Sequence, residues 1–193
     1  MHPGRMSDEP PRRGATYEDL EQVPSHRVGE LVGGELFVSP RPRMVHARAS
    51  FRLGGALRPF DESPGAGRPG GWVLLFEPEL HLGGDALVPD LAGWRRERLP
   101  ELPDVVASTL APDWVCEVLS PSTEALDRVR KMGSYAREGV GHLWLVDPGA
   151  RMLEIYRLEN ARWSRLGAHQ GAASVRAEPF DSLALELGSL WER

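Results

Sequence analysis

Short apolar runs, separated by glycine, proline and charged residues, recur along this chain of 193 residues. Runs of this kind that are rich in valine, leucine and tryptophan predict β-strands where turn residues bound them. Strands are predicted over residues 72–82, 86–94, 114–119 and 142–146. Hairpins are predicted over residues 30–38, turning at Gly33-Gly34, and over residues 152–157 with 162–166, turning at Asn160.

Apolar residues at helical spacing predict two longer helices, from about residue 45 to 57 and from about residue 123 to 138. Gly139 follows the second helix, in the position that a C-cap glycine takes. A shorter helix is predicted over residues 16–22, with Thr16 as its N-cap. The middle of the chain is therefore ordered as helix, three strands, helix and strand.

Two regions have the composition of flexible chain. Residues 1–15 are rich in proline, arginine and acidic residues, which predicts a disordered tail. Residues 61–71 are rich in glycine and proline and predict a mobile loop. The remainder, residues 16–193, has the length of a single domain and ends in a short predicted helix near Leu190.

The composition, with 41% hydrophobic and 26% charged residues, is ordinary for a globular protein. The single cysteine, Cys116, excludes an internal disulfide framework and favours a cytoplasmic location. No segment has the character of a membrane span or a signal peptide, so no membrane partner is expected. The net charge of −5 argues against non-specific binding of nucleic acid, so DNA would need a local arginine patch. Candidates for that patch, which a solvated helix face explains equally well, are Arg41, Arg43, Arg48 and Arg52.

Lys131 is the only lysine in the chain, against 22 arginines. Such a skew indicates a coding bias towards arginine wherever either cation serves, so the one lysine is a candidate for a place where a guanidinium would not do. An ammonium group has three rotatable donors and a pKa that shifts on burial, which suits activating a water or stabilising charge on a phosphate. Survival by chance is the alternative explanation.

Two acidic residues interrupt apolar strands ahead of this lysine. Asp90 follows Pro89 within the predicted strand 86–94, and Glu117 lies in the middle of the predicted strand 114–119. A carboxylate in a buried strand is costly unless it is paired or binds a metal, and two on adjacent strands indicate one shared site. Carboxylate oxygens suit Mg²⁺. Taken singly, Asp90 could cap a turn and Glu117 could pair with an internal arginine.

The helix that carries Lys131 allows two interpretations. Glu117 and Leu119 share a face of their strand, so Leu119 takes the place of the lysine in an Asp…Glu-x-Lys metal nuclease, and Lys131 could reach back as its replacement. Against this, Asp127 and Lys131 have the spacing of a surface ion pair worth ~0.2–0.5 kcal/mol, and with Tyr135 they fit a solvated face equally well. The stripe predicted to pack on the sheet consists of Leu126, Val129, Gly133 and Ala136.

Several segments, in this order along the chain, resemble those of one known family. They are residues 34–46, 88–90, 113–123, 127–131, 135–140 and 143–148. As a set they are similar to the Uma-two family of restriction-endonuclease-like proteins, in the PD-(D/E)XK nuclease superfamily, over roughly residues 16–190. The most diagnostic piece is Glu-Val-Leu-Ser-Pro-Ser-Thr from Glu117, followed by Asp127 and Lys131.

The resemblance implies an α/β fold with an αβββαβ core, in which helices flank a mixed sheet, plus an N-terminal β-hairpin and a C-terminal β extension. It implies that Asp90 and Glu117 bind Mg²⁺ or Mn²⁺ and that Lys131 is catalytic. Glu35 and His46 match family positions near this site. For His46, a bond to backbone at the helix start is the competing explanation.

The preferred hypothesis is therefore a Mg²⁺-dependent endonuclease that hydrolyses DNA phosphodiester bonds. Asp90 and Glu117 would hold the metal, and Lys131 would position the attacking water. The alternative is a catalytically inactive module of the same fold that binds nucleic acid or a protein partner. A metal-dependent hydrolase of another phosphoester is a third hypothesis. Cutting both strands of a duplex with one site per chain favours a homodimer.

Overall fold

A computed structural model describes residues 10–65 and 67–192 of the chain. The described strands are β1 (Arg12–Arg13), β2 (Arg27–Val32), β3 (Glu35–Pro40), β4 (Trp72–Phe76), β5 (Glu79–Leu82), β6 (Asp85–Leu87), β7 (Leu91–Arg95), β8 (Ala107–Ser108), β9 (Trp114–Val118), β10 (His142–Asp147), β11 (Met152–Glu159), β12 (Arg162–Gln170), β13 (Ser174–Val175) and β14 (Leu185–Glu186). The helices are α1 (Tyr17–Glu21), α2 (Met44–Asp61), α3 (Met132–Arg137), which a π-helical turn over Leu126–Lys131 precedes, and α4 (Leu187–Leu190).

A six-stranded mixed sheet forms the centre of the fold, in the order β12-β11-β10-β9-β7-β4. Strands β9 and β10 are parallel, and the other neighbouring pairs are antiparallel. A second six-stranded sheet has the order β1-β3-β2-β6-β5-β8. Since α2 precedes β4, and the π turn with α3 lies between β9 and β10, the core order αβββαβ is as expected, with β5, β6 and β8 of the second sheet inserted into it.

Strand β9 shows how the two faces of the central sheet differ. Trp114, Cys116 and Val118 belong to one apolar cluster, together with residues of α2 and the C-terminal segment. Val115 and Leu119 point the opposite way and belong to a second cluster. The alternation follows the two-residue period of a strand. Glu117 therefore faces the same side as Val115 and Leu119.

Two predicted strands are each divided in the structure. The prediction of one strand over residues 72–82 is wrong, because the chain breaks at Glu77-Pro78 and β4 and β5 join different sheets. The prediction over residues 86–94 fails in the same way, because Val88, Pro89 and Asp90 separate β6 from β7. A proline has no N–H group to give to a ladder, which favours a break at both places. Asp90 consequently lies just before a strand, not inside one.

The predicted helix over residues 123–138 contains a π-helical turn, and of the stripe predicted to pack on the sheet only Leu126 is buried and Ala136 half-buried. Asp127, Lys131 and Tyr135 are buried, whereas Val129 is 72% exposed. Gly133 is exposed as well. The prediction fails because the acidic groups around Lys131 pair with it inside the protein, so that polar residues take the inner face. The Asp127–Lys131 pair is thus a buried contact and not a surface ion pair.

The N-terminal elements agree with the sequence. Helix α1 begins after Thr16, which is its N-cap as predicted. Strands β2 and β3 form the predicted hairpin around Gly33-Gly34. Of the tail predicted to be disordered, residues 1–9 lie outside the described residues, and Arg12–Arg13 pair with β3 as a short strand.

The C-terminal elements also follow the predicted order. Strands β11 and β12 form the predicted hairpin, which extends to Gln170, and α4 is the short helix predicted near Leu190. That residues 16–193 form a single domain stays a prediction. Among the described residues, no helix combines the length and the apolar character that crossing a membrane requires.

Candidate active site

The ammonium group of Lys131 lies in a buried cluster of acidic side chains. Its Nζ atom is 2.8 Å from Glu30 Oε1, 2.9 Å from Glu117 Oε1 and 3.6 Å from Asp127 Oδ1. It also donates to the carbonyl oxygen of Val88 at 3.3 Å. Lys131 is only 2% exposed, so these contacts replace its hydration. Its three N–H donors are matched by the two short carboxylate contacts and the Val88 carbonyl.

Glu117 is the strand residue that joins Lys131 to the sheet. Its Oε1 atom accepts from Lys131 Nζ and from the Tyr135 hydroxyl group, the latter at 2.6 Å. Both bonds go to Oε1, and Oε2 receives neither. Burial raises the pKa of Glu117 well above its usual value, Lys131 opposes that shift, and the neighbouring carboxylates add to it.

Asp90 lies at the facing end of the neighbouring strand. The antiparallel register pairs Leu91 with Cys116, so the next residues along, Asp90 and Glu117, come opposite each other. Asp90 Oδ2 accepts the backbone N–H of Val118 at 2.7 Å. This bond fixes the aspartate beside the end of β9, where the predicted shared site requires it.

His46, in the first turn of α2, contacts the other oxygen of this aspartate. Its Nε2 atom is 3.2 Å from Asp90 Oδ1. Burial acts to lower the pKa of His46, but the bond to Asp90 and its charge outweigh burial and raise it. The second ring nitrogen, Nδ1, is buried and has no hydrogen-bond partner among the described residues. His46 therefore reaches the predicted site through Asp90 and not through Glu117.

Negative charge exceeds positive charge in this cluster. Burial raises the pKa of Asp127 to about 6, although Lys131 acts to lower it. Burial alone would lower the pKa of Lys131, but attraction to Glu117 and Glu30 raises it well above its usual value. The ammonium group therefore stays protonated, and Asp90 adds to the repulsion that Glu117 and Asp127 feel. A bound cation would offset this excess.

The donor set fits a divalent ion that keeps much of its water. Among the described residues, no three carboxylate, imidazole or thiol groups are arranged as a complete protein cage for a metal. Mg²⁺ does not need such a cage, because it binds through one or two carboxylates with waters and substrate phosphate. Asp90 and Glu117 supply two hard oxygen ligands on facing strand ends, and Glu117 Oε2 takes no part in the contacts to Lys131 and Tyr135.

The structure does not bring Glu35 into these contacts. Its carboxylate pairs instead with Arg13 and Arg130, each at 3.1 Å. Glu30, on the partner strand of the same hairpin, contacts Lys131. Sequence reasoning missed Glu30, although it shares the signal that identified Glu117, a carboxylate beside apolar residues in a strand.

Tyr135 was missed for a different reason. Helical spacing placed its side chain on the same line as Lys131, on a face that fitted solvent, yet the residue is fully buried and donates to Glu117. No sequence signal distinguishes such a tyrosine from an exposed one on a polar helix face.

A cleft of about 290 Å³ opens beside His46, between the start of α2 and the carboxyl ends of the parallel strands β9 and β10. It is lined by Arg43, Val45, His46, Leu119, Ser120, Pro121, Glu124, Asp147, Pro148 and Gly149. Clefts at the carboxyl ends of strands are common ligand sites in open α/β sheets. Because His46 lines the cleft and also contacts Asp90, the cleft borders the acidic cluster.

Comparisons with known proteins bear on the family and the fold. The Uma2 family, described as "Putative restriction endonuclease", matches residues 15–188. The crystal structure of a protein described as a "putative nuclease belonging to DUF820", from Anabaena variabilis ATCC 29413, is similar at a TM-score of 0.72 and 20% identity. The similarity covers 92% of this chain and 97% of that one, which confirms the expected nuclease-like α/β fold. A comparison with curated proteins gives no match.

Proposed function

Because the chain belongs to the Uma2 family, we propose that it is a Mg²⁺-dependent endonuclease that hydrolyses phosphodiester bonds in DNA. The observation that carries this proposal is the contact of the chain's one lysine, Lys131, with Glu117, whose strand neighbour is Asp90. Two carboxylates on facing strands can hold a metal ion that activates a water, and an ammonium group beside them can stabilise charge on a phosphate. The name of the similar Anabaena protein agrees with the proposal.

Asp90 and Glu117 would hold Mg²⁺ or Mn²⁺. A bound ion of this kind lowers the pKa of a coordinated water and offsets charge on the phosphate oxygens. The bond from Val118 N–H and the contact with His46 hold Asp90 in place. The Tyr135 hydroxyl and Lys131 hold Glu117 through one oxygen, so that the other stays available.

Lys131 is proposed to position the attacking water and to stabilise negative charge on the phosphate. Its contact with the Val88 carbonyl oxygen, at 3.3 Å, is longer than its contacts with Glu30 and Glu117. This N–H is therefore the one that would turn to a water or a phosphate oxygen. Glu30 and Glu117 keep the ammonium in place meanwhile.

Plasmid cleavage by purified protein tests the proposal. Asp90→Ala and Glu117→Ala should each abolish cleavage in Mg²⁺ or Mn²⁺, because each removes a proposed metal ligand. Glu97→Ala, which changes an exposed carboxylate, is the matched control and should keep wild-type activity. If both ligand variants cleave at the wild-type rate, the metal assignment is wrong.

Lys131→Arg tests the lysine more finely, because it retains the positive charge. A guanidinium is larger and planar, and the site around Lys131 is closed, so we expect cleavage to fall at least ~10-fold. Full activity of this variant would show that the one lysine is an accident of composition.

A catalytically inactive module that binds nucleic acid or a protein partner is the second candidate. One observation favours it: the ammonium group of Lys131 itself occupies the space among Glu30, Glu117 and Asp127 and neutralises part of their charge. Such a module would bind DNA or a partner without binding Mg²⁺. Calorimetric titration with Mg²⁺ distinguishes the two candidates. The enzyme should bind the ion at one site with a measurable heat of binding, and the inactive module should show none.

We propose further that the enzyme acts as a homodimer in the cytoplasm. One site per chain cuts one strand, so two copies related by a twofold axis would cut a duplex. The buried, unpaired thiol of Cys116 is compatible with a reducing compartment.

A further inference from the structure

The segment that leads into α2 and continues along it carries positive charge only. Residues 36–60 contain five arginines and no acidic residue, in a chain whose net charge is −5. The arginines are Arg41, Arg43, Arg48, Arg52 and Arg58. The overall charge therefore hides a local excess of positive charge beside the candidate active site.

Two of these arginines are left without partners. Arg52 pairs with Glu192, and Arg58 pairs with Glu62. Arg41 donates to a backbone carbonyl. Arg43 and Arg48 are exposed and form no ion pair or side-chain hydrogen bond with any described residue. Since many arginines elsewhere in the described chain pair with carboxylates, Arg43, just before α2, and Arg48, on it, are the two whose charge is available to a ligand.

In the sequence, both free arginines flank the histidine that contacts the proposed metal ligand Asp90. His46 lies between them in the sequence and contacts Asp90 at 3.2 Å. Arg43 and His46 also line the same cleft, which Leu119 and Ser120 bound at the end of β9. Arg48 follows two residues after His46 and therefore lies on another side of α2, so a polymer anion that contacts both arginines would cross the start of this helix at the cleft.

We infer that Arg43 and Arg48 bind backbone phosphates of a DNA strand, which crosses the start of α2 and enters the cleft beside His46. The inference rests on the proposed function for the identity of the polymer. Guanidinium groups pair with phosphate oxygens through parallel N–H bonds, and such contacts position a nucleic acid without reading its sequence. They supply affinity that falls steeply with salt.

Salt-dependent binding measures these contacts without relying on cleavage. The full chain is titrated in EDTA into a fluorescent duplex and, separately, into one of its single strands, each about 20 nucleotides long, and the dissociation constant is followed by anisotropy as the salt concentration rises. Replacing both residues in Arg43→Ala/Arg48→Ala should lower the slope of log affinity against log salt by about 1.8 for a duplex and about 1.4 for a single strand. The two slopes also indicate which form of DNA this surface binds.

The matched control is Arg151→Ala/Arg162→Ala, which removes the same charge from two exposed arginines in the region of β11 and β12. An unchanged slope in this control, with the reduced slope in the α2 variant, supports the inference. Equal changes in both variants would mean that binding follows net charge alone, and the inference would fail. It would fail also if the wild-type chain bound no DNA. If the α2 variant shows the reduced slope but the wild-type protein cleaves no DNA with any divalent ion, the DNA-binding surface is supported and the proposed endonuclease activity is wrong.

Discussion

The ammonium group of Lys131 is held by side chains that also repel one another. Glu30, Glu117 and Asp127 all approach it, and burial raises the pKa of the last two. A buried charge set of this kind is costly to maintain, so its retention favours a functional role over a stabilising one. The contacts of Lys131 with these carboxylates therefore decide what its ammonium group can do.

Glu30 is predicted to position Lys131. Its Oε1 atom accepts from Lys131 and from the backbone N–H of Val88, and Glu30→Gln keeps an acceptor oxygen while removing the charge. We expect kcat for metal-dependent cleavage to fall by about 10–100-fold with little change in KM, the effect typical of residues that support a metal site. Steady-state kinetics with an oligonucleotide substrate gives the two constants separately.

Glu30→Asp, which keeps the charge, should recover part of the lost rate, and Glu21→Gln at an exposed position of α1 is the control. A Glu30→Gln enzyme with wild-type kcat would exclude this positioning role.

Asp127 should make stability depend on pH. Its pKa is about 6 in the folded protein and near 3.8 in the unfolded chain, so the folded state binds more protons between these values. This contribution to stability is fully present below about pH 4 and is lost as the pH rises through about 6. Asp127→Asn removes this pH dependence. As the pH rises from about 4 to about 6, the free energy of unfolding of the variant should therefore increase relative to that of the wild type, by on the order of 3 kcal/mol.

Urea denaturation at pH 4, 5, 6 and 7 without divalent ions measures this difference. Parallel pH profiles for the variant and the wild type would show that Asp127 titrates normally.

Single residues could be predicted from the sequence where a charged side chain interrupts an apolar run. Glu117 stood out because a carboxylate in an apolar strand requires a partner, and Lys131 stood out by count. Glu30 carries the same signal as Glu117, but its partner Lys131 is far away in the sequence, and Tyr135 gave no signal, because its contact with Glu117 is created only by the folded chain. The structure also gives Glu35 arginine partners in place of a contact with Lys131.

At the scale of elements, the π-helical turn over Leu126–Lys131 decides which side chains face the sheet. The N–H of Met132 donates to the carbonyl of Asp127, five residues earlier, where an α-helix would use four. Turns of this kind are frequent at functional sites. Wheel-based prediction assumes regular α-helical spacing and apolar inner faces, and both assumptions fail here.

Deleting Val129 should restore α-helical spacing, because it removes one exposed residue from the wide turn. Lys131 would rotate away from Glu117, and we expect metal-dependent cleavage to drop at least ~100-fold while the fold persists. Plasmid cleavage and circular dichroism measure the two effects. The point variant Val129→Ala should change stability by no more than about 0.5 kcal/mol, because the side chain lies at the surface. A deletion variant with wild-type activity would show that the π turn does not set the position of Lys131.

Strand boundaries were predictable in part. Most strands follow the apolar runs, but the divisions at Glu77-Pro78 and at Pro89 were missed, although a proline within a run is a known warning against one continuous strand. The break at Pro89 matters for function, because it frees Asp90 to turn towards both Val118 and His46.

At the scale of the whole molecule, charge is separated. Inside the fold, acidic side chains contact Lys131. In contrast, residues 36–60 contain arginines and no acidic residue. The net charge of −5 argues against non-specific binding of nucleic acid, but the arginines of residues 36–60 favour binding of an anion at that surface. The overall architecture could be predicted from element order and family resemblance, whereas the assignment of β5 and β6 to a second sheet required the structure.

The most direct measurement is a crystal of the wild-type protein soaked in Mn²⁺, with anomalous diffraction locating the ion. We predict one strong peak bound by the carboxylates of Asp90 and Glu117, on the side of Glu117 away from Lys131. The absence of a peak there, with Lys131 still bonded to Glu117, would contradict the metal site and favour the inactive module.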